Sequence, residues 1–313
     1  MKSNLFICPK TYDLNSEIIE GLNRKNFSYD ILLEKTDSQI IYFLCKIGLF
    51  RKIISSIFSL YIFIKIKINN YERIYIIRGY FINIKLINWL EKNKNLKTTI
   101  YQWDSFENYN YSKFFNRGFR LITFSPFDSK LYNLEYFPLF SEKLNSKEQI
   151  KNEFNIAHVG TFSLIRLKIF KLFINDNAFE PKDNFLMLYL PFLGYLKFLI
   201  FNFKKPLLSS FKKISKNELI NYYAKSNCIL DIMTLGDKAI GEAGVSINVI
   251  RALALNKKIV TNNRGIEHLN IDKSFYLLTD FSDISNIVNF AKDSLKIKPK
   301  FKFSVDNWLK NVL

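Results

Sequence analysis

The sequence predicts an α/β protein built from two doubly wound, Rossmann-like domains facing each other across a cleft. Three observations lead there. Short apolar runs alternate with helical patterns along the chain, the signature of parallel sheets covered by helices. The length, 313 residues, suits two domains at roughly 150 residues each. A polar stretch without core residues, Asn145-Ser146-Lys147-Glu148-Gln149-Ile150-Lys151-Asn152-Glu153, interrupts the alternation as a linker does. The expected domains are therefore 1–150 and 151–313, the second carrying a terminal helix.

Eight runs read as buried strands: residues 5–7, 73–77, 98–101 and 121–124 in the first half, then 155–159, 185–190, 228–232 and 258–261 in the second. Residues 215–225, polar and amphipathic, read as a helix between two of these strands. Residues 305–313 read as a short helix with Trp308, Leu309 and Val312 on one side. Ligands of doubly wound domains bind outside the carboxyl ends of the strands. The residues that directly follow each strand are thus the ones to inspect.

Composition narrows the function. Hydrophobic residues make up 48% and charged residues 24%, which supports a large core and excludes a disordered chain. The formal net charge is +18. It is spread over both halves, with 22 basic and 14 acidic residues in 1–150 and 24 and 14 in 151–313. Such a field draws in polyanions: nucleic acid, anionic lipid headgroups or phosphorylated substrates. No zinc-finger spacing, basic zipper or aromatic-basic RNA motif accompanies the charge, so nucleic acid is not the expected partner. Three widely spaced cysteines, Cys8, Cys45 and Cys228, fit buried thiols rather than a disulfide framework. The opening apolar run is too short for a secretory signal, which predicts a cytoplasmic protein.

Two stretches bear on membranes. In residues 49–64, Phe50, Ile53, Ile54, Ile57, Phe58 and Tyr61 recur at helical spacing opposite Arg51, Lys52, Ser55, Ser56 and Ser59. Residues 185–203 are broken by Pro191, Gly194 and Lys197 into a strand, a turn and a basic amphipathic stretch. Neither holds the about 20 apolar residues a membrane span needs. The reading preferred for each is an element packed on a core by its apolar side. The alternative is a helix lying on an anionic surface, with Arg51, Lys52, Lys65 and Lys67, and Lys197, Lys204, Lys205, Lys212 and Lys213, as candidate contacts.

The chemistry concentrates after residue 228. A strand ends near Ile232, a loop containing Gly236, Gly241 and Gly244 follows, and a helix begins near Ser246 with Val249, Ile250 and Leu253 on its buried face. Ser246 can cap that helix, leaving first-turn amides and the positive end of the dipole facing the loop. Such a terminus suits a phosphate, and Gly241 and Gly244 would let a diphosphate approach the backbone. An ordinary strand-to-helix turn has the same residues, so the loop alone does not decide.

In the context of the whole chain this stretch resembles the second domain of bacterial GT-B glycosyltransferases that build capsule and lipopolysaccharide. The resemblance runs over about residues 70–270. Its marks are Leu230-Asp231-Ile232, the glycine loop and helix, Lys257-Lys258-Ile259-Val260-Thr261, Val159-Gly160-Thr161 with the downstream Arg166, and Tyr101-Gln102-Trp103-Asp104-Ser105. Phe127-Asp128 and Tyr136-Phe137-Pro138-Leu139 fit the end of the first domain.

The resemblance implies transfer of a sugar from a nucleotide-sugar donor, a substrate rather than a cofactor, to a lipid-linked or lipid-anchored glycan. It places Gly160, Thr161, Arg166, Gly241, Glu242, Gly244, Ser246, Asn248 and Arg251 at the donor. It places Tyr101 and Trp103 at the acceptor, with Asp104 as the candidate base for the acceptor hydroxyl. No Asp-x-Asp pair is present, so stabilisation of the leaving diphosphate by dipoles and basic side chains is expected instead of a metal. Two positions depart from the family. Asn248 stands where it usually has Arg, and Arg251 where it has the Glu that binds donor hydroxyls. An Arg cannot accept those hydrogen bonds. Donor recognition is then rebuilt, through Glu242 or Glu267 with Arg251 meeting an extra acidic group, or the chain is a non-catalytic scaffold.

Overall fold

The computed structural model describes residues 4–10, 14–34, 48–144, 151–190, 208–210, 213–235, 238–239, 243–293, 295 and 300–313. Two compact units emerge: residues 1–139 with 304–313, and residues 140–303. Each is an α/β unit around one parallel sheet.

The first unit contains β1 (Asn4–Pro9), α1 (Leu14–Arg24), β2 (Tyr29–Glu34), α2 (Gly48–Asn69), β3 (Arg73–Ile77), α3 (Ile84–Lys92), β4 (Lys97–Gln102), β5 (Arg120–Thr123), α4 (Pro126–Tyr132) and β6 (Glu135–Tyr136). Its strand order is β2-β1-β3-β4-β5-β6, with every pairing parallel. The order reverses between β1 and β3, the place where such sheets open a crevice at their carboxyl edge. Leu5, Ile7, Ile74, Ile76 and Ile100 form the core with Ile62, Ile66, Leu86 and Leu90 from the helices. Helix starts follow from caps. Asn83 accepts from the Leu86 amide to begin α3, and Ser125 accepts from Asp128 with Pro126 in the first turn of α4.

The second unit contains β7 (Phe154–Thr161), α5 (Leu164–Asn175), β8 (Asn184–Tyr189), β9 (Leu208–Ser210), α6 (Lys216–Ala224), β10 (Ser226–Asp231), a two-stranded ribbon β11 (Thr234–Leu235) and β12 (Lys238–Ala239), α7 (Ile247–Ala254), β13 (Lys258–Thr261), β14 (Tyr276–Leu278) and α8 (Ile284–Lys292). Its order is β14-β13-β10-β7-β8-β9, again all parallel, and the reversal falls between β7 and β10. Ile156, Leu188, Leu230 and Val260 pack with Phe170, Phe173, Ile287 and Val288. Ser215 and Glu218 close a reciprocal capping box that starts α6.

All eight strands expected from the sequence are present. The terminal helix, α9 (Val305–Val312), buries Val305, Trp308, Leu309 and Val312, but it belongs to the first unit, not the second. It packs on α1 so closely that a Cβ on Gly21 would stand 2.8 Å from Leu309 Cδ1. Trp308 also meets Tyr101 edge-on at 5.1 Å. An apolar helical face at a chain segment's end does not record which sheet it covers, which is why the sequence misassigned it.

The helix α2 is rotated from its expected orientation: Phe58 packs on the core and Arg51, Lys52 and Ser56 are exposed, as expected, but the buried face is centred elsewhere. Two of its three serines turn inward: Ser55 and Ser59 hydroxyls donate to the Phe81 carbonyl, and Ser59 Oγ accepts from the Asn83 amide. Phe50, Ile53, Ile57 and Tyr61, assigned to the core from their spacing, are exposed. Periodicity over one stretch does not fix the centre of the buried face, and hydroxyls satisfied by a neighbouring turn let Ser59 lie inside beside Ile62 and Ile66. No helix among the described residues is long and apolar enough to cross a membrane. Cys45, residues 145–150, and Lys197, Lys204, Lys205 and Lys212 lie outside the described residues; Cys8 and Cys228 are free and buried.

Candidate functional site

Residues gather at the carboxyl edge of each sheet, beside its strand-order reversal. In the second unit, Ser246 caps α7 by accepting from the Val249 amide at 3.4 Å. The same hydroxyl donates to Asp231 Oδ1 at 2.6 Å, and Thr261 Oγ1 donates to Asp231 Oδ2 at 3.1 Å. Asp231 ends β10 and is buried. Burial raises its carboxyl above the ordinary range, while the two hydroxyls and the charge of Arg166 oppose that rise. Asn263, in the loop after β13, holds the approach to the helix: its Oδ1 accepts from the Gly265 and Ala243 amides, and its Nδ2 donates to the Gly244 carbonyl at 3.0 Å. A Cβ on Gly265 would lie 2.0 Å from the Ala243 carbonyl oxygen. Only glycine lets these two backbones approach.

At the end of β7, Gly160 is required by a side chain rather than by its own dihedral. A Cβ there would stand 2.6 Å from His158 Nε2. His158 is buried, with Nδ1 2.6 Å from the Leu230 carbonyl. That contact assigns the proton to Nδ1 and leaves Nε2 as an acceptor with no hydrogen-bond partner. Burial, assisted by the charge of Arg166, lowers the ring to about 3, so it is neutral at physiological pH.

Arg166, expected to present its fork to a phosphate, is engaged with backbone. Nε and Nη2 donate to the Ile232 carbonyl at 3.2 and 3.0 Å, and Nη1 donates to Thr161 at 2.6 Å. It ties the ends of β7 and β10 together and leaves its positive charge at the sheet edge. Thr161 is exposed, Gly244 is buried and Asn248 is half-buried in the first turn of α7. Arg251 departs most from expectation. It sits one turn further into α7 and is 3% exposed, because that register turns toward the protein, where its charge acts on the buried Tyr223. Glu267 is exposed on the loop after β13. Gly241 and Glu242 lie outside the described residues.

The first unit's edge is built from charges. Arg78 and Gly79 follow β3, both left-handed at φ +65° and +67°. A left-handed arginine costs about 1 kcal/mol, and the turn is held by the Arg78 amide donating to Tyr101 and by Gln102 Nε2 donating to the Arg78 carbonyl. Arg78 Nε stands 2.7 Å from Asp104 Oδ2, and its guanidinium lies over the Tyr80 and Tyr109 rings. Burial raises the Asp104 carboxyl, against the pull of Arg78. Glu34, at the end of β2, is fully buried and accepts from the Tyr80 and Phe81 amides. Burial raises its carboxyl too, while those amides and the charges of Lys113 and Arg78 favour the ionised form. Lys113 donates to the Gly79 and Ile82 carbonyls, and burial brings its amine down to about 7. Asp128 secures the loop after Asp104 by accepting from the Phe106 amide and the Tyr111 hydroxyl.

Two expected acceptor contacts are not surface platforms. Tyr101 is 1% exposed, and its hydroxyl donates to the Phe137 and Pro138 carbonyls. Its strand position sends the ring under α9. Trp103 is buried at 9%. Asp104, the next residue, keeps its carboxylate partly open. The sequence reading missed Glu34, because β2 went unrecognised, and also Lys113, Asn263 and Gly265. Arg78 was findable, as a charged residue directly after an apolar strand.

No protein-family profile and no curated protein matches this chain. Solved structures do match in fold. UDP-GlcNAc 2-epimerase from Methanocaldococcus jannaschii is 13% identical, with TM-score 0.59 over 98% of this chain and 99% of that one. Anabaena HepE, solved with UDP and glucose, is 11% identical, with TM-score 0.58 over 99% and 98%. The DNA-modifying β-glucosyltransferase, solved with and without uridine diphosphoglucose, is 14% identical, with TM-score 0.51 over 93% and 89%. The two parallel-sheet α/β units are therefore those of the GT-B fold class, which holds both glycosyltransferases and epimerases of nucleotide sugars.

Proposed function

We propose that this chain is a glycosyltransferase that moves a sugar from a nucleotide-sugar donor to a lipid-linked or lipid-anchored glycan during assembly of a surface polysaccharide or lipooligosaccharide, on the cytoplasmic side of the membrane. The observation that carries the reading is the start of α7. Its capped first turn, with Asn248, sits at the strand-order reversal; Asn263 clamps Gly244 on the loop before it, and Asp231 accepts from the capping Ser246. Amides at such a terminus suit the donor diphosphate, and the Arg166 charge beside them supports the same sign. The chain has no Asp-x-Asp pair, which favours this route over a metal for the leaving group.

In the proposed division of labour the second unit binds the donor and the first handles the acceptor proton. Asp104 accepts the proton of the acceptor hydroxyl as oxygen bonds to the anomeric carbon. The anomeric bond to phosphate breaks, and the nucleoside diphosphate leaves with the electron pair. Arg78 holds Asp104 in place and limits the rise of its carboxyl. A raised carboxyl is a stronger base than an ordinary one once ionised.

The test is a thermal-shift screen against nucleoside diphosphates and their sugars, followed by transfer of labelled sugar to membrane lipid extract. A donor at a hundred times its Kd raises stability by about 2.7 kcal/mol. Failure of every nucleotide to raise Tm sinks donor binding. Binding followed by an epimerised free nucleotide sugar, without labelled lipid, assigns epimerase chemistry instead.

A further inference from the structure

We propose that α2 is a membrane-docking surface that lays its outer face into the interface of an anionic lipid bilayer. Leu49, Phe50, Ile53, Ile57, Leu60, Tyr61, Ile64 and Ile68 are all exposed large hydrophobics. At 100° per residue they fall within about 120° of arc, one continuous stripe. Ile57 is 65% and Ile68 72% exposed. The opposite side is satisfied by protein through Ser59, Ile62 and Ile66, which are buried. Large apolar stripes left open to water mark interaction surfaces.

Charge selects the occupant. The 22-residue helix contains Arg51, Lys52, Lys65 and Lys67 and no Asp or Glu. Lys65 and Lys67 flank the stripe on its two sides. Lys65 lies 3.7 Å from Asp30, while Lys52 and Lys67 are exposed. An apolar face bordered by cations is the pattern of helices that lie in a headgroup layer. A second copy docking through the same stripe would bring Lys65 and Lys67 of each helix toward those of the other with no carboxylate on either helix, which disfavours a homodimer. The inference does not depend on sugar transfer, because it is scored without any nucleotide.

The test is flotation of the full chain with vesicles of phosphatidylcholine, with and without one third phosphatidylglycerol. The wild type should float with the anionic vesicles and lose binding in high salt. Exchanging the exposed Ile53, Ile57, Leu60 and Ile64 for Gln should weaken binding about tenfold or more, with an unchanged melting temperature, since none supports the core. The pair Lys52→Glu and Lys67→Glu should remove the preference for phosphatidylglycerol. Absence of wild-type flotation, or equal flotation of the Gln variant, overturns the proposal. So does a wild-type dimer in light scattering that the Gln variant converts to monomer, because the stripe would then be a protein interface.

Discussion

The two sheet edges solve one problem in opposite ways. The first unit's edge collects full charges: Glu34, Asp104 and Lys113 have their ordinary proton affinities displaced by burial, and Arg78 lies beside Asp104. The second unit's edge is nearly neutral. One buried carboxylate, Asp231, is held by two hydroxyls, the histidine is kept uncharged, and the arginine is committed to carbonyls. Charges with displaced proton affinities suit proton transfer. A rigid backbone cradle with few competing charges suits an anionic ligand, which brings its own charge. The proposed division, acid–base chemistry in one unit and phosphate recognition in the other, rests on this contrast.

The strongest attempt to break this contrast is Asp104→Asn. It should cut turnover by about 100- to 10,000-fold while leaving nucleotide binding by calorimetry unchanged. Equal losses in both would erase the division. Next comes Gly265→Ala. A Cβ 2.0 Å from the Ala243 oxygen must displace the loop before α7, costing about 2–4 kcal/mol in denaturant unfolding and weakening nucleotide binding with it.

A third test is stability against pH. Folded His158 titrates at about 3, below its ordinary 6.5. The unfolded chain therefore binds a proton that the folded chain refuses between those values. Stability present above pH 6.5 falls as pH drops toward 3, by about 1.4 kcal/mol per pH unit from this group. Replacing His158 with Asn should flatten that slope by about one proton in urea midpoints measured across the range. The smallest effect is Ser246→Ala, expected to cost about 1 kcal/mol for the lost cap. A larger loss, with Asp231 left short of a donor, would mark the buried carboxylate as the true anchor of the cradle.

How much of this was legible follows from position in the sheets. The strands visible as apolar runs, such as Ile229 and Leu230 in β10 or Ile259 and Val260 in β13, are interior and buried on both faces. Of the six unrecognised strands among the described residues, β2, β6, β9 and β14 are the edges of the two six-stranded sheets, and β11 and β12 pair only with each other. An edge strand has a neighbour on one side only; β14 is just half-buried throughout, so its sequence shows no continuous run. The cap at Ser246 was readable because capping is local. The Arg78–Asp104 pair was not, since it joins turns after two different strands. Arg166 and Arg251 misled for a related reason: a sequence shows that a cation exists near a strand end, but not whether carbonyls or a core have already claimed it.

The return of α9 to the first unit gives the chain an unequal order of completion. The Ser141 amide donates to the Phe303 carbonyl at 3.0 Å, so the segment between them leaves and rejoins at neighbouring points, like an insert with a closed neck. During synthesis the inserted unit has its whole sequence available first. The earlier-made unit must wait for the helix that seals Gly21 and Tyr101, so its core is completed last.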